Sequence, residues 1–175
     1  MNPSPSERVN HFAVLGLPPA FALDRTVLDE RYRTLQAAVH PDRFATASPA
    51  ERQAAIDTAL RVNAAYRVLA DPVARAAHLL ELIGIEALGE GSAALPSAFL
   101  AEQMAWREQL EEARGDEAAL ERLRAQCAAA LEREAAAFAA AYPVEVESAR
   151  FCVRKMRFIQ RLIEALDQEL TALAG

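Results

Sequence analysis

The chain has 175 residues, of which 53% are hydrophobic and 25% charged, and its net charge is -6 at pH 7. This composition is that of a globular protein with one ordinary domain or two small ones. The acidic balance argues against binding to DNA or RNA, which requires a basic surface. No apolar run approaches the roughly 18 residues of a membrane span. We therefore expect neither a nucleic acid nor a membrane as a partner.

The start of the chain and its cysteines bear on the cellular compartment. Residues 1–10 lack the apolar core of a secretory signal, and residues 1–8 are expected to form a frayed tail. Cys127 and Cys152 belong to no CxxC or CxxH cluster, so the chain offers no recognisable metal-ligand set. We expect both cysteines to be small buried apolar residues, the compartment to be the cytoplasm, and no cofactor or metal to be bound.

Alanine supplies much of the apolar content, and valine, isoleucine and aromatic residues are sparse, which favours helices over strands. Proline and glycine divide the chain into segments with helical patterns. The predicted helices, in chain order, are 9–15, 25–39, 49–70, 71–83, 97–114, 116–142 and 145–173. The predicted fold class is therefore all-α.

Residues with short polar side chains precede several of these segments, where they can cap a helix. Asp24, Ser97 and Asp116 are predicted N-caps, and Ser48 with Glu51 is predicted to form a capping box. The helix that follows Ser48 is expected to turn one stripe of side chains inward. The members of this stripe are Ile56, Leu60, Asn63, Tyr66 and Leu69.

A stretch of small and turn-forming residues at 85–96 separates two groups of helices and is interpreted as a linker. The predicted domains are 1–84 and 97–175. The three long segments of the second domain are joined by short turns, which favours an antiparallel three-helix bundle.

The tripeptide His40-Pro41-Asp42 interrupts the helical pattern of the first domain. Pro41 fixes its own φ and moves the preceding residue out of the helical region, so the helix must end there. An imidazole and a carboxylate are thereby presented on a loop between two helices. Taken alone, His40 is expected to cap the helix C-terminus, where a cation is favoured.

The residues on either side make the tripeptide far more specific. Stretches 32–35 before it and 63–72 after it, in this order and at this separation, resemble a J-domain. The resemblance continues through residues 10–170 and is to one J-domain branch, the HscB family of iron–sulfur co-chaperones. The stretches that carry it are 12–18, 75–80, 98–104, 107–112 and 153–158.

This resemblance implies a helical hairpin that docks on a DnaK-type chaperone, HscA, and stimulates its ATPase. It also implies a C-terminal bundle that binds the iron–sulfur scaffold protein, IscU, for delivery to the chaperone. The chaperone-binding residues that it implies are His40, Pro41, Asp42, Arg43, Arg31 and Arg33. The scaffold-binding residues that it implies are Leu100, Met104, Arg107, Glu108 and Phe158. Ala101 and Ala105 are smaller or less polar than the family pattern, and Trp106 is open between core and interface.

Two other functions remain to be weighed. The first is a general J-domain protein that holds unfolded clients, which predicts a Gly/Phe-rich segment or zinc-binding cysteines. The second is an enzyme that uses His40 and Asp42 as an acid–base pair, which requires further polar groups converging on a pocket. The sequence contains neither a Gly/Phe-rich segment nor zinc-binding cysteines, and it offers no Gly-rich loop, nucleophile motif or ligand cluster for an enzyme. We therefore expect no enzymatic activity.

Overall fold

The structure is a computed structural model that describes residues 9–44, 46–88 and 96–174. The α-helices in these stretches are α1 (His11–Leu15), α2 (Arg25–Ala38), α3 (Pro49–Ala70), α4 (Pro72–Leu82), α5 (Ser97–Ala113), α6 (Glu117–Ala141) and α7 (Val146–Ala174). A 3₁₀ turn covers Pro41–Phe44. The described residues contain no β-strand, so the predicted all-α class is confirmed. The predicted tail and most of the predicted linker lie outside the described residues.

The chain divides into two compact units, Met1–Ile85 and Glu86–Gly175. In the first unit α1 and α2 pack on α3, and α4 follows α3 with only Asp71 between them. Phe12, Leu28 and Leu79 are fully buried in its core. Gly16 ends α1 in the left-handed conformation at φ 65°, which glycine adopts without steric cost.

The predicted inward stripe of α3 is wrong at two positions. Ile56 is 50% exposed and Leu60 is 62% exposed. The helix instead buries Ala55, Val62 and Ala65 together with the predicted Leu69. The buried face is rich in alanine, which allows neighbouring helices to approach closely. A pattern that is traced through large side chains alone therefore selects the wrong stripe.

Local signals set most of the helix starts. Asp24, Asp71 and Asp116 each cap a helix by accepting a hydrogen bond from a backbone N–H of its first turn. Ser48 and Glu51 form the predicted capping box. The prediction for Ser97 is wrong, because this residue is the first of α5 and the N-cap is Pro96, which forms no side-chain cap. Proline has no side-chain acceptor, so α5 begins without the stabilisation that a polar cap provides.

The second unit contains α5, α6 and α7, and its largest helix–helix contact is between α6 and α7. Leu120, Cys127 and Leu166 belong to its buried cluster, as the apolar stripes of both helices require. Cys127 and Cys152 are free and buried, which confirms the interpretation as small core residues. Burial raises the pKa of the Cys127 thiol to about 12. None of the described helices is long and apolar enough to cross a membrane.

Candidate partner-binding surfaces

A network of aromatic and polar side chains joins α2 to α3 in the first unit. The rings of Tyr32 and Tyr66 stack with their centroids 4.1 Å apart. The Tyr32 hydroxyl donates to Asn63 Oδ1 at 2.9 Å, and Gln36 Nε2 also donates to that oxygen. The Tyr66 hydroxyl donates to Asp29 Oδ1 at 2.8 Å. The structural role predicted for Asn63 is thus confirmed, and the two helices are held in register on both sides of the aromatic pair.

The His40-Pro41-Asp42 loop lies at the end of this hairpin where the chain passes from α2 to α3. The helix α2 stops at Ala38, two residues before His40, as the proline requires. The 3₁₀ turn that follows is closed by a hydrogen bond of 3.0 Å from the Arg43 N–H to the His40 carbonyl. The side chains of His40 and Asp42 are 59% and 90% exposed. The loop therefore has a defined backbone but leaves both functional groups open to a partner.

The two polar side chains of the loop are close to each other. His40 Nδ1 lies 3.4 Å from Asp42 Oδ2 and 3.4 Å from the Asp42 backbone nitrogen. This ring nitrogen accepts from the N–H when it is unprotonated and donates to the carboxylate when it carries a proton. Both contacts are long, and neither withdraws the carboxylate from a competing partner.

The arginines predicted to flank the loop differ in their placement. Arg31 and Arg33 are exposed on α2, but residues two apart on a helix point to different sides. Arg43 is exposed within the 3₁₀ turn itself. None of the three forms an ion pair with any residue that the structure describes, so their charges are not neutralised within the chain. The structure thus brings Arg43 next to His40 and Asp42, whereas Arg31 and Arg33 do not share one patch.

On the second unit, α5 carries a row of exposed side chains. Leu100 is 46% exposed and Met104 is 63% exposed, and Glu108 continues the row at the same spacing of four. Ala101 and Ala105 are also exposed, so they widen this surface without adding large side chains. Leu100 and Met104, one turn apart on the helix surface, thus form a small exposed apolar patch.

Phe158 is less exposed than Leu100 and Met104. It is half-buried on α7, packs against the bundle core, and meets Phe99 edge-on with ring centroids 5.9 Å apart. Arg107 is exposed on α5, and together with Phe158 it lines a groove between α5 and α7. Trp106 is half-buried against the same core cluster. The predicted scaffold-binding residues are therefore an exposed row on α5 and a half-buried aromatic ring beside it.

Lys155 fixes the position of α5 on the bundle. Its Nζ lies 2.9 Å from Glu134 Oε1 on α6 and 3.8 Å from Glu102 Oε2 on α5. It also lies over the ring of Phe99, 5.7 Å from the centroid. Burial alone lowers the pKa of Lys155, but the hydrogen bond and charge of Glu134 and the charge of Glu102 outweigh it, so the pKa is raised. The charged side chain therefore links all three helices.

Sequence reasoning did not single out the arginines of α7. Arg154, Arg157 and Arg161 line one side of the groove between α5 and α7. Their spacing of three and four residues places them on one helix face, and this pattern is visible in the sequence. The arginines line a groove only because α5 packs opposite them, and the sequence pattern of α7 does not show which helix lies there.

Comparison with known proteins agrees with this architecture. Residues 95–167 match the sequence model of the HSCB C-terminal oligomerisation domain. The chain is 42% identical over 159 residues to a co-chaperone protein HscB homologue of Bordetella avium, covering 90% of this chain and 95% of the relative. It is 50% identical over 117 residues to the homologue of Bordetella pertussis, covering 67% and 69%.

Two solved structures are similar along nearly the whole chain. The chaperone HscB from Vibrio cholerae is 36% identical with a TM-score of 0.82, covering 94% of this chain and 99% of that one. Human co-chaperone protein HscB is 29% identical with a TM-score of 0.84, covering 93% and 82%.

A helical hairpin whose His-Pro-Asp loop exposes His40 and Asp42, followed by a three-helix bundle, defines a J-domain co-chaperone. Such proteins act on other proteins, and the relatives are named as co-chaperones rather than as enzymes. The identity and coverage of these relatives place the chain in the HscB family of co-chaperones, whose role is in iron–sulfur cluster assembly.

Proposed function

We propose that residues 1–84 stimulate the ATPase of the DnaK-type chaperone HscA and that residues 97–175 bind the scaffold protein IscU and deliver it to that chaperone. The observation that carries this proposal is the turn at residues 40–43. It has a hydrogen-bonded backbone, exposes His40 and Asp42, and stands at the end of a hairpin held by half-buried aromatic and polar contacts.

The chemistry of the loop suits docking on a cationic site. An exposed carboxylate such as that of Asp42 can accept charge-assisted hydrogen bonds from an arginine of the ATPase. Such bonds are strong when the contact excludes water. Because the backbone of the turn is already fixed, less conformational entropy is lost on docking than with a flexible loop.

The unpaired arginines support the approach to the chaperone. Arg31, Arg33 and Arg43 attract an acidic partner surface and raise the rate of association more than the final affinity. Since Arg31 and Arg33 lie on different sides of α2, only one of them can face the same contact as Arg43 at close range. The other contributes through the longer-range field, which salt screens.

The exposed row on α5 suits binding of the scaffold. Leu100 and Met104 offer apolar area, while Arg107 and Glu108 provide the polar rim that is common around the apolar centre of an interface. Phe158 supports this surface from α7 through its edge-on contact with Phe99. Ala101 and Ala105 make the apolar area smaller, so more of the binding falls to Met104 and Leu100.

No covalent step is assigned to this chain. A co-chaperone alters the partner's reaction because it binds one nucleotide state of that partner better than another. ATP hydrolysis takes place on the chaperone, and His40 and Asp42 act by docking rather than by proton transfer.

The test is His40→Gln in a steady-state ATPase assay with purified HscA and IscU. We expect the variant to leave the chaperone at its basal rate at all concentrations used. Scaffold binding, measured by calorimetry, and the melting temperature should equal those of the wild type because His40 is exposed and outside the core. Stimulation equal to that of the wild type would remove the docking role of the loop.

A further inference from the structure

A groove of about 570 Å³ runs between α5 and α7 in the second unit. Its volume lies within the range of sites that bind ligands or peptide side chains. The apolar part of its lining consists of Leu88, Phe99, Leu110, Phe158, Leu162 and Ala165. The remaining lining residues are Gln103 and four arginines, Arg107, Arg154, Arg157 and Arg161. The groove thus combines an apolar floor with a concentration of positive charge.

This charge stands out against its surroundings. Residues 86–175 contain more Asp and Glu than Lys and Arg, yet none of the described residues that line the groove is acidic. Three arginines elsewhere in the unit, Arg114, Arg124 and Arg150, are paired with carboxylates. Arg114, for example, lies 2.7 Å from Glu111, and Arg124 pairs with Asp167.

Three of the four arginines that line the groove have no carboxylate partner among the described residues. Arg107, Arg157 and Arg161 form no ion pair with any residue in the described part of the chain, although Arg157 Nη1 donates to Gln160 Oε1 at 3.1 Å. Several guanidinium groups around one groove repel each other, and an apolar floor screens them less than water does. A ligand with carboxylates would relieve this repulsion and form bidentate hydrogen bonds.

We propose that this arginine groove binds an acidic peptide segment of a partner protein, whose apolar side chains lie on the floor while its carboxylates meet the arginines. The inference goes beyond the scaffold-binding role proposed for α5, because it assigns a function to Arg154, Arg157 and Arg161. Continuity favours a partner protein as the occupant: Gln103 and Arg107 on the groove's edge adjoin the exposed row that Leu100 and Met104 begin.

The first measurement uses the full-length protein and two fluorescent peptides of about twelve residues. One alternates Glu and Asp with Leu and Phe, and the other replaces every acidic residue by its amide. We expect the acidic peptide alone to bind, as measured by fluorescence anisotropy, and its affinity to fall as salt is raised. Equal binding of both peptides, or binding of neither, would overturn the proposal.

The second measurement locates the site. Arg157→Gln with Arg161→Gln should weaken binding of the acidic peptide by at least about tenfold, because two charge-assisted contacts are lost. Arg157→Lys with Arg161→Lys should retain part of the affinity, since charge remains but the bidentate geometry does not. The control is Arg122→Gln with Arg133→Gln, which removes the same charge from exposed positions of α6 outside the groove. It should bind like the wild type.

Two results of these variants count against the groove. One result is that the groove variant (Arg157→Gln with Arg161→Gln) and the control variant (Arg122→Gln with Arg133→Gln) lose the same peptide affinity. The peptide would then respond only to the net charge of the protein. The other result is that the wild type binds no peptide but sediments as a dimer, and that Arg157→Gln with Arg161→Gln breaks this dimer. The groove would then belong to the contact with a second copy of the chain. Both results are independent of the ATPase assay on His40→Gln, so they leave the docking role of the loop unaffected.

Discussion

The loop at 40–43 and the exposed row on α5 present residues to partners in different ways. The loop offers polar groups on a short turn, and a backbone hydrogen bond together with the network between α2 and α3 holds its geometry. The row offers Leu100 and Met104 on a regular helix that contacts Lys155 of α7 through Glu102 and Phe99. The loop depends on orientation and charge, whereas the row depends on apolar area. A single substitution should therefore inactivate the loop more completely than the row.

The largest loss of ATPase stimulation is expected for Asp42→Asn. The amide keeps the shape but loses the charge that makes the hydrogen bond to a cationic partner strong, so stimulation of the chaperone ATPase should fall by at least about tenfold. The control is Glu30→Gln, the same change at an exposed position of α2. A loss of equal size in both variants would show that the loop acts through net charge and not through orientation.

The next prediction distinguishes, in the second unit, a residue that stabilises the bundle from one that contacts the scaffold. Phe158→Ala should lower the free energy of unfolding by about 2–3 kcal/mol because the half-buried ring packs on the core cluster. Leu100→Ala, at an exposed site, should change it by no more than about 0.5 kcal/mol and yet weaken scaffold binding. Urea unfolding and calorimetry measure the two quantities. The distinction fails if Leu100→Ala destabilises the bundle as much as Phe158→Ala.

A smaller effect tests how the loop is supported. Asn63→Ala leaves the Tyr32 hydroxyl and the Gln36 amide without their common acceptor, which should cost about 1–2 kcal/mol of unfolding free energy. Gln53→Ala is the control on α3, because its hydrogen bond to Asp57 is exposed. It should cost less than about 0.5 kcal/mol. ATPase stimulation by the Asn63 variant should persist below its unfolding temperature if the network only supports the turn.

The smallest effect concerns pH. Burial, followed by the neighbouring His78, lowers the pKa of His11 below its ordinary 6.5, although Glu81 acts in the opposite direction. The unfolded chain therefore takes up this proton more readily than the folded one. The contribution to stability is present above pH 6.5 and is lost as the pH falls below it. His11→Gln should flatten the decline in unfolding free energy between pH about 7.5 and 5.5, and parallel curves would exclude this contribution.

The sequence predicted the features that depend on neighbouring residues. The cap by Asp24 and the capping box of Ser48 and Glu51 form within one turn, so their residue types suffice to locate them. The end of α2 before His40 follows from Pro41 in the same local way. Ser97 shows the limit, since a residue suited to capping was taken into the helix itself.

The features that sequence reasoning misplaced or did not locate depend on which helices meet. Ile56 and Leu60 fit a helical stripe, but α1 and α2 cover the alanine-rich side of α3 instead. The stripe of Arg154, Arg157 and Arg161 is periodic in sequence, but only the pairing of α7 with α5 makes it one wall of a groove. Likewise, the partial burial of Phe158 follows from its contact with Phe99, which lies far from it in the chain.

The burial of both cysteines has a consequence for a co-chaperone of iron–sulfur cluster assembly. Iron is held in such clusters by thiolates, and an accessible thiolate on a helper protein would compete for it. Cys127 and Cys152 are enclosed in the bundle, and burial raises the pKa of each thiol. Neither cysteine therefore offers an accessible thiolate to an iron–sulfur cluster.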